Sequence, residues 1–352
     1  MKKLTPKRKT SANPVDGARA EEVALVCRVR LARNLEGERF PDWATEHDHA
    51  RVFERVRSAF GAAAPDLALR PLSDFNVRYL EMLCEQNLIS RDLLRRTSGG
   101  GIAFEPPSAV CVMVNEEDHL RIQGFADGFD LNRAWQRATR MDALLEPHLH
   151  YAWSLRLGYL TACPSNVGTG LRAGVMVHLL GLRLLGEIEA VMRGLERMRL
   201  LVRGIGGEGS EASGQIYQIS NMDTLGVEEE AIVGRVTRIV AEVIRQELNA
   251  RERLLRESPL LLTDCLVRAL TVLQNARLMS AAEALELLSA VRLGAVLGRF
   301  SKLKPVMVNQ LILLMQPGHM QSGLQADLNP DQRDEMRAAF LNQKLANVKW
   351  KG

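Results

Sequence analysis

Asn115-Glu116-Glu117-Asp118-His119-Leu120-Arg121 follows the apolar run Ala109-Val110-Cys111-Val112-Met113-Val114. The run reads as a buried strand. A strand that opens into three acids, a histidine and an arginine is not ordinary core, because acids are almost never buried unless paired. Three adjacent carboxylates repel one another, so a cationic group is expected opposite them. A solvated turn is the plainer reading of this stretch taken alone.

Other stretches carry matching chemistry. Cys163-Pro164-Ser165-Asn166-Val167-Gly168-Thr169-Gly170-Leu171-Arg172 joins a cysteine to a turn-rich loop and an arginine. Arg203-Gly204-Ile205-Gly206-Gly207-Glu208-Gly209 sets an arginine and a glutamate around a glycine-rich turn that can close over a ligand. Upstream, Cys27-Arg28-Val29-Arg30-Leu31-Ala32-Arg33-Asn34 follows a strand-like 23–26. Alternation puts Arg28 and Arg30 on one face of an extended segment. Two such arginines call for an anion or an acidic partner; surface salt bridges are the plainer outcome and are worth little.

Composition sets the limits. The chain has 352 residues, 46% of them apolar, enough for a core and for two or so domains. Its net charge is +4, with 42 acids interspersed among 46 bases, which does not call for nucleic acid. The basic, polar segment 1–20 reads as a disordered tail and lacks the apolar stretch of a secretory signal. No apolar run approaches the ~20 residues that span a bilayer. Cys27, Cys84, Cys111, Cys163 and Cys265 are scattered without CxxC spacing. That argues against a zinc site or a disulfide framework and fits a reducing cytoplasm. His47-x-His49 and His148-x-His150 lack the companions of a metal site.

Periodicity predicts helices over 48–62, 77–88, 129–149, 171–182 and 228–256, and strands over 159–162, 198–202 and 216–221. Ser98-Gly99-Gly100-Gly101 reads as a flexible loop. In this reading Thr169 caps the 171–182 helix. Arg172 then sits in its first turn, where backbone N–H groups and the dipole favour anions. An arginine is unfavourable there unless an anion is bound, so Arg172 reads as a phosphate ligand. From 258 onward the chain becomes rich in leucine and alanine with helical spacing over 260–273, 281–297, 305–314 and 329–346. Ser280-Ala281-Ala282-Glu283 looks like a capping box. The organisation expected is a tail (1–20), a catalytic domain (21–256) and a C-terminal helical domain (257–352).

Over about 24–226 these motifs together resemble the ATP:guanidino phosphotransferases, the phosphagen kinase superfamily. The resemblance implies an α+β fold, an antiparallel sheet flanked by helices. It departs at Cys27, where the family usually has a hydroxyl residue, and at Gly174, usually serine. Animal members have a helical domain before the first arginine motif. Here 27 residues precede Arg28 and helices follow instead, which resembles the bacterial protein-arginine kinases, as does Glu85-Gln86-Asn87-Leu88-Ile89-Ser90. In that branch a segment matching Arg333-Asp334-Glu335-Met336-Arg337 recognises phosphoarginine, a role the resemblance gives to Arg333, Asp334 and Arg337.

The implied reaction moves the γ-phosphoryl of ATP, with Mg2+, to a guanidinium nitrogen. Arg28, Arg30, Arg121, Arg172 and Arg203 would hold the phosphates, as fixed, always-charged forks suited to oxygens. Glu117 and Glu208 would clamp the guanidinium, and Cys163 would lie beside it as a thiolate without forming a covalent intermediate. The implied partners are client proteins, an unfoldase-protease and a second copy of the chain, in the cytoplasm and in protein quality control or stress response. A kinase of free arginine and a non-catalytic phosphoarginine-binding adaptor are the competing readings. The first lacks a loop for the free amino acid, and the second predicts loss of a clamp residue.

Overall fold

Val29, Leu31, Ile122, Ala173 and Val175 are fully buried, while Arg28, Arg30, Arg121, Arg172 and Met176 beside them along the strands are only partly so. That alternation is the signature of a sheet with one face against a core. The computed structural model describes residues 17–95, 99–104, 109–204, 213–322 and 328–351. In chain order its strands are β1 (Ala24–Arg33), β2 (Arg70–Pro71), β3 (Gly101–Phe104), β4 (Val110–Val114), β5 (Leu120–Asp127), β6 (Trp153–Ser154), β7 (Gly158–Tyr159), β8 (Leu171–His178), β9 (Leu200–Gly204) and β10 (Ile216–Asn221). Eight form one antiparallel sheet, ordered β2-β3-β4-β5-β1-β8-β10-β9; β6 and β7 make a separate hairpin.

The helices are α1 (Gly17–Val23), α2 (Glu46–Ala63), α3 (Val77–Glu85), α4 (Arg91–Arg95), α5 (Leu131–Leu145), α6 (Leu180–Leu184), α7 (Ile188–Arg197), α8 (Glu229–Glu257), α9 (Pro259–Asn275), α10 (Ala281–Val296), α11 (Pro305–Leu314), α12 (Pro317–Ser322) and α13 (Pro330–Leu345). Helices α5 and α8 pack on the core face of the sheet. Gly124 is what lets α5 in so close: a Cβ there would meet Ala134 O at 2.1 Å and Ala138 N at 2.7 Å. The opposite face is covered at one end by α3 and α4, around Met113 and Phe125, and at the other by the C-terminal helices, which pack against Met176. Between these covers lies its middle.

The α+β architecture is as expected, but 171–182 is no helix. It is β8, followed by the short α6. Leu171, Ala173, Val175 and Val177 are buried, while Arg172 and Met176 are only partly so. This is period two, and a strand paired on both sides, with β1 and β10, overrides the helical spacing. Thr169 therefore caps nothing. Its hydroxyl accepts from Leu171 N–H at 3.2 Å and donates to Thr224 O at 3.3 Å, fixing a turn. The expected 159–162 strand shortens to β7, and α1 starts at Gly17, inside the segment read as tail. Ser280 caps α10 by accepting from Glu283 N–H at 3.2 Å.

Candidate active site

The register of the sheet gathers the arginines. Arg30 lies directly across from Arg172 on β8, and Ala32 across from Arg121 on β5. Arg28 faces Gly174, Gln218 faces Met176, and Arg203 on β9 faces Gln218. Parity then places Arg28, Arg30, Arg121, Arg172 and Arg203 on one face, the one away from α5 and α8. Like charges directly opposite destabilise a sheet. Arg28 and Arg30 have no hydrogen bond or ion pair among the described residues. Burial, helped by Arg121, pushes the Arg28 guanidinium down to about 10. Arg30 is lowered by burial and then by Arg28, Arg121 and Arg172; Arg172 is lowered by burial and then by Arg203. Such a face has the charge to receive a polyanion.

The acidic run forms the β4–β5 turn, with Asn115 at φ +56°, in the left-handed region that asparagine tolerates. Asn115 Nδ2 donates to His49 O at 2.9 Å and Gly99 O at 2.7 Å. Asp118 accepts from Asn34 Nδ2 at 2.6 Å and Ala162 N–H at 2.7 Å. His119 Nδ1 accepts from Leu35 N–H at 3.0 Å, which leaves Nε2–H to donate to Arg39 O at 2.9 Å. Burial pushes that imidazole down to about 4. Asn115, Asp118 and His119 therefore hold the turn in place. Glu116 and Glu117 remain, and the cation opposite them is Arg121, which donates to Glu116 Oε1 at 2.6 Å and Glu117 Oε2 at 2.7 Å. Glu116 is buried, but the Glu117 side chain is 37% exposed. Burial holds the Glu117 carboxyl above the usual range; Arg121 opposes that shift, and Asp118, Glu116 and Asp42 reinforce it.

Cys163 Sγ is half-buried and lies 3.0 Å from Ser165 Oγ. The loop after it is stapled by Thr224, whose hydroxyl reaches Ser165 O at 3.0 Å and Val167 O at 2.7 Å. Arg172 donates to Asn166 Oδ1 at 3.2 Å and lies near Cys163. Cys27 and Cys111, by contrast, are buried and pushed up to about 12, which leaves them inert thiols. Glu208 lies outside the described residues.

Arg333, Asp334 and Arg337 stand on α13. Arg337 is fully buried, donating to Met315 O at 2.9 Å, Met279 O at 2.7 Å and Asp334 Oδ1 at 2.6 Å. Arg333 is partly exposed and donates to Leu328 O at 2.9 Å.

Sequence reasoning assigned no task to Asn34, Asp118, His119 or Arg33. Arg33 sits on the core face, where Asp142 on α5 accepts from its Nη2 at 2.7 Å and its guanidinium stacks 3.6 Å from the Tyr159 ring centre. The signal was available: its odd number puts it out of phase with Arg28 and Arg30.

A family profile for the ATP:guanido phosphotransferase C-terminal catalytic domain matches residues 51–250, and one for the protein-arginine kinase McsB C-terminal domain matches 259–351. The sequence is 38% identical over 334 residues to a protein-arginine kinase of Shouchella clausii (strain KSM-K16), covering 94% of this chain and 93% of that one. It is 41% identical over 330 residues to a protein-arginine kinase of Symbiobacterium thermophilum (strain DSM 24528 / JCM 14929 / IAM 14863 / T), covering 92% and 94%. Among solved structures, a lombricine kinase superposes with a TM-score of 0.58 at 27% identity, over 69% of this chain and 71% of that one. The duplicated taurocyamine kinase of Schistosoma mansoni, with bound transition-state-analogue components, shares the fold at a TM-score of 0.62 and 24% identity, over 75% and 38%.

Proposed function

We propose that this chain, which belongs to the ATP:guanido phosphotransferase family, is a protein-arginine kinase, moving the γ-phosphoryl group of ATP to arginine side chains of proteins. The observation that carries the reading is the arginine face with Glu117 and Cys163 at its edge. The C-terminal match and the relatives named as protein-arginine kinases support proteins as the substrate.

Phosphoryl transfer is mostly positioning and charge stabilisation. Arg28, Arg30, Arg121, Arg172 and Arg203 would take the phosphates, and their mutual repulsion would be relieved by the anion. A guanidinium is a poor nucleophile because it stays protonated to a pH above ~12. Glu117 would orient one guanidinium nitrogen toward phosphorus and accept its proton. Its raised affinity for a proton suits that task, and its present hold on Arg121 supports the pairing chemistry. Glu208 would supply the second carboxylate, by resemblance, and Cys163 a neighbouring anionic sulfur. Magnesium, bound to the phosphates with several waters, would neutralise part of their charge. Among the described residues no three His, Cys, Asp or Glu groups form a cage for a metal ion.

For phosphoarginine, Arg333 offers the accessible guanidinium, while Arg337 and Asp334 would shape the ground around it. A homodimer through the C-terminal helices is supported by the exposed Leu260, Leu261, Val306 and Met307. An unfoldase-protease partner and a cytoplasmic setting rest on the resemblance; among the described residues no helix is long and apolar enough to cross a membrane.

The test is a phosphotransfer assay with ATP against an arginine-rich protein and against free arginine, read by mass spectrometry at neutral pH. Phosphoarginine on protein supports the reading. Phosphorylation of free arginine alone, or neither product with ATP still bound, overturns it.

A further inference from the structure

The two covers of the arginine face are joined by residues 234 apart in the chain. Glu85 stands in the last turn of α3. Its carboxylate accepts from Gly318 N–H at 2.6 Å, His319 N–H at 2.9 Å and His319 Nδ1 at 2.6 Å, all on α12. His319 Nε2 lies 3.2 Å from Gln86 Nε2. The Glu85 and His319 side chains are nearly closed off from water, at 16% and 6% exposed. The backbones fit as closely: a Cβ at Gly318 would meet Glu81 C and Met82 N at 3.0 Å. Hydrogen bonds to a carboxylate are about twice as strong as neutral ones, and three of them meet here. This is a docking point between α3 and the C-terminal helices, unlike a surface ion pair.

On the α3 side the contact leads to the arginines. Past Glu85 the chain turns at Asn87, whose φ of +59° is left-handed, and buries Leu88 and Ile89. Leu88 O accepts from Gln123 Nε2 at 2.9 Å and from Cys111 Sγ at 3.1 Å. Gln123 is fully buried and lies directly across from Arg30; Phe125, packed in the cluster under α3, lies across from Arg28. The residues beside both arginines are thus held by the α3–α4 cover. On the other side, α12 is tied to the rest of the C-terminal helices. Gln321 Oε1 accepts from Leu328 N–H at 3.3 Å, and Met315 O, just before α12, accepts from Arg337 Nε at 2.9 Å.

Resting on the nucleotide role given to the arginine face, we propose that Glu85 and His319 are positioning residues for phosphoryl transfer. By clasping α12 to α3 they fix the 85–90 turn, through it Gln123 and Phe125, and so the wall along which Arg28 and Arg30 reach the phosphates. Neither residue touches the nucleotide; each acts through the turn. The nucleotide site is complete only while α12 is docked, so the C-terminal helices form part of it. Misplacement of about 1 Å can cost ~10²-fold in rate, which is why such bracing matters.

The test measures calorimetric binding of ATP and of inorganic tripolyphosphate to the full chain, beside its urea midpoint. Glu85→Ala should weaken ATP by about fivefold or more, the lower end of couplings between separate sites. Gly318→Val, which pushes α12 off α3 and removes no hydrogen-bonding group, should do the same. Adding His319→Ala to Glu85→Ala should add little, since residues acting as one unit are not additive. His319→Asn, whose Nδ2 can stand in for Nδ1, should keep the wild-type affinity. Should Glu85→Ala fail to fold, His319→Ala alone decides, by a loss that His319→Asn does not share. Leu273→Ala, in the buried core of the C-terminal helices, should lower the urea midpoint and leave ATP affinity unchanged.

Wild-type affinity in both Glu85→Ala and Gly318→Val overturns the positioning role while the kinase reading stands. Equal weakening by Leu273→Ala also overturns it, reducing the clasp to general stability. A chain that binds tripolyphosphate through the clasp but binds no ATP overturns the kinase reading and leaves the clasp standing. Binding of neither probe to wild-type protein overturns both.

Discussion

Arg121 holds Glu117 at 2.7 Å across the mouth of the arginine face, so the carboxylate proposed to grip a substrate guanidinium already grips one belonging to the protein. A phosphate arriving at Arg121 would compete for that guanidinium and free Glu117. Nucleotide and substrate would then be coupled through this one pair.

Glu117→Gln should lower kcat by about 10²–10⁴, the range for loss of a general base. Nucleotide affinity should hold or rise, because Arg121 loses a competing anion. Turnover within a factor of two of wild type would remove Glu117 from the clamp.

Arg30→Met should do two opposite things. Nucleotide binding should weaken by about tenfold or more, the equivalent of ~1.4 kcal/mol. Without nucleotide the protein should become more stable, since Arg30 lies directly across from Arg172 and both guanidiniums are lowered by burial and by neighbouring arginines. Urea unfolding and calorimetry on the same preparation check both; a lower urea midpoint without ligand would contradict the repulsion.

His119 is predicted to make the fold acid-sensitive. Its folded pKa is about 4, below the usual 6.5, so the unfolded chain binds the extra proton between those values. Its contribution is therefore complete above pH 6.5 and declines as pH falls toward 4, by up to about 3 kcal/mol. His119→Gln should flatten the stability difference over that window. Unfolding midpoints from pH 7 to pH 4 whose slope is the same with and without His119 would refute this.

Arg337 and Arg333, one turn apart on α13, should separate cleanly. Arg337→Met strips two buried carbonyls and Asp334 of their donor and should cost about 3–5 kcal/mol of stability. Arg333→Ala should stay within about 0.5 kcal/mol. Thermal unfolding distinguishes them, and similar losses would mean the burial of Arg337 contributes little.

The motifs at Arg28, Asn115, Cys163 and Arg203 were legible because their residue types are improbable as core, and the long helix α8 because its apolar spacing is regular. β8 was not. Over 171–182 Leu171, Val175, Leu179 and Leu182 fit a helical spacing while Leu171, Ala173, Val175 and Val177 fit a strand, and pairing with two neighbouring strands decided it. The phosphate role read for Arg172 survives as a proposal on different grounds, its position across from Arg30 replacing a helix end. The tasks of Asp118 and His119 were illegible for another reason. Their partners, Ala162 and Asn34 for one and Leu35 and Arg39 for the other, are set by loop closure, and local spacing says nothing of that.

The Asp118 carboxylate joins three separate stretches: the end of β1 through Asn34, the turn bearing Glu117, and the approach to Cys163 through Ala162. It works as a common datum. Each part of the proposed chemistry is measured from the same point, so thermal displacement of one part tends to move the others with it and leaves their spacing intact. The site can drift as a unit within the fold and still keep its internal alignment.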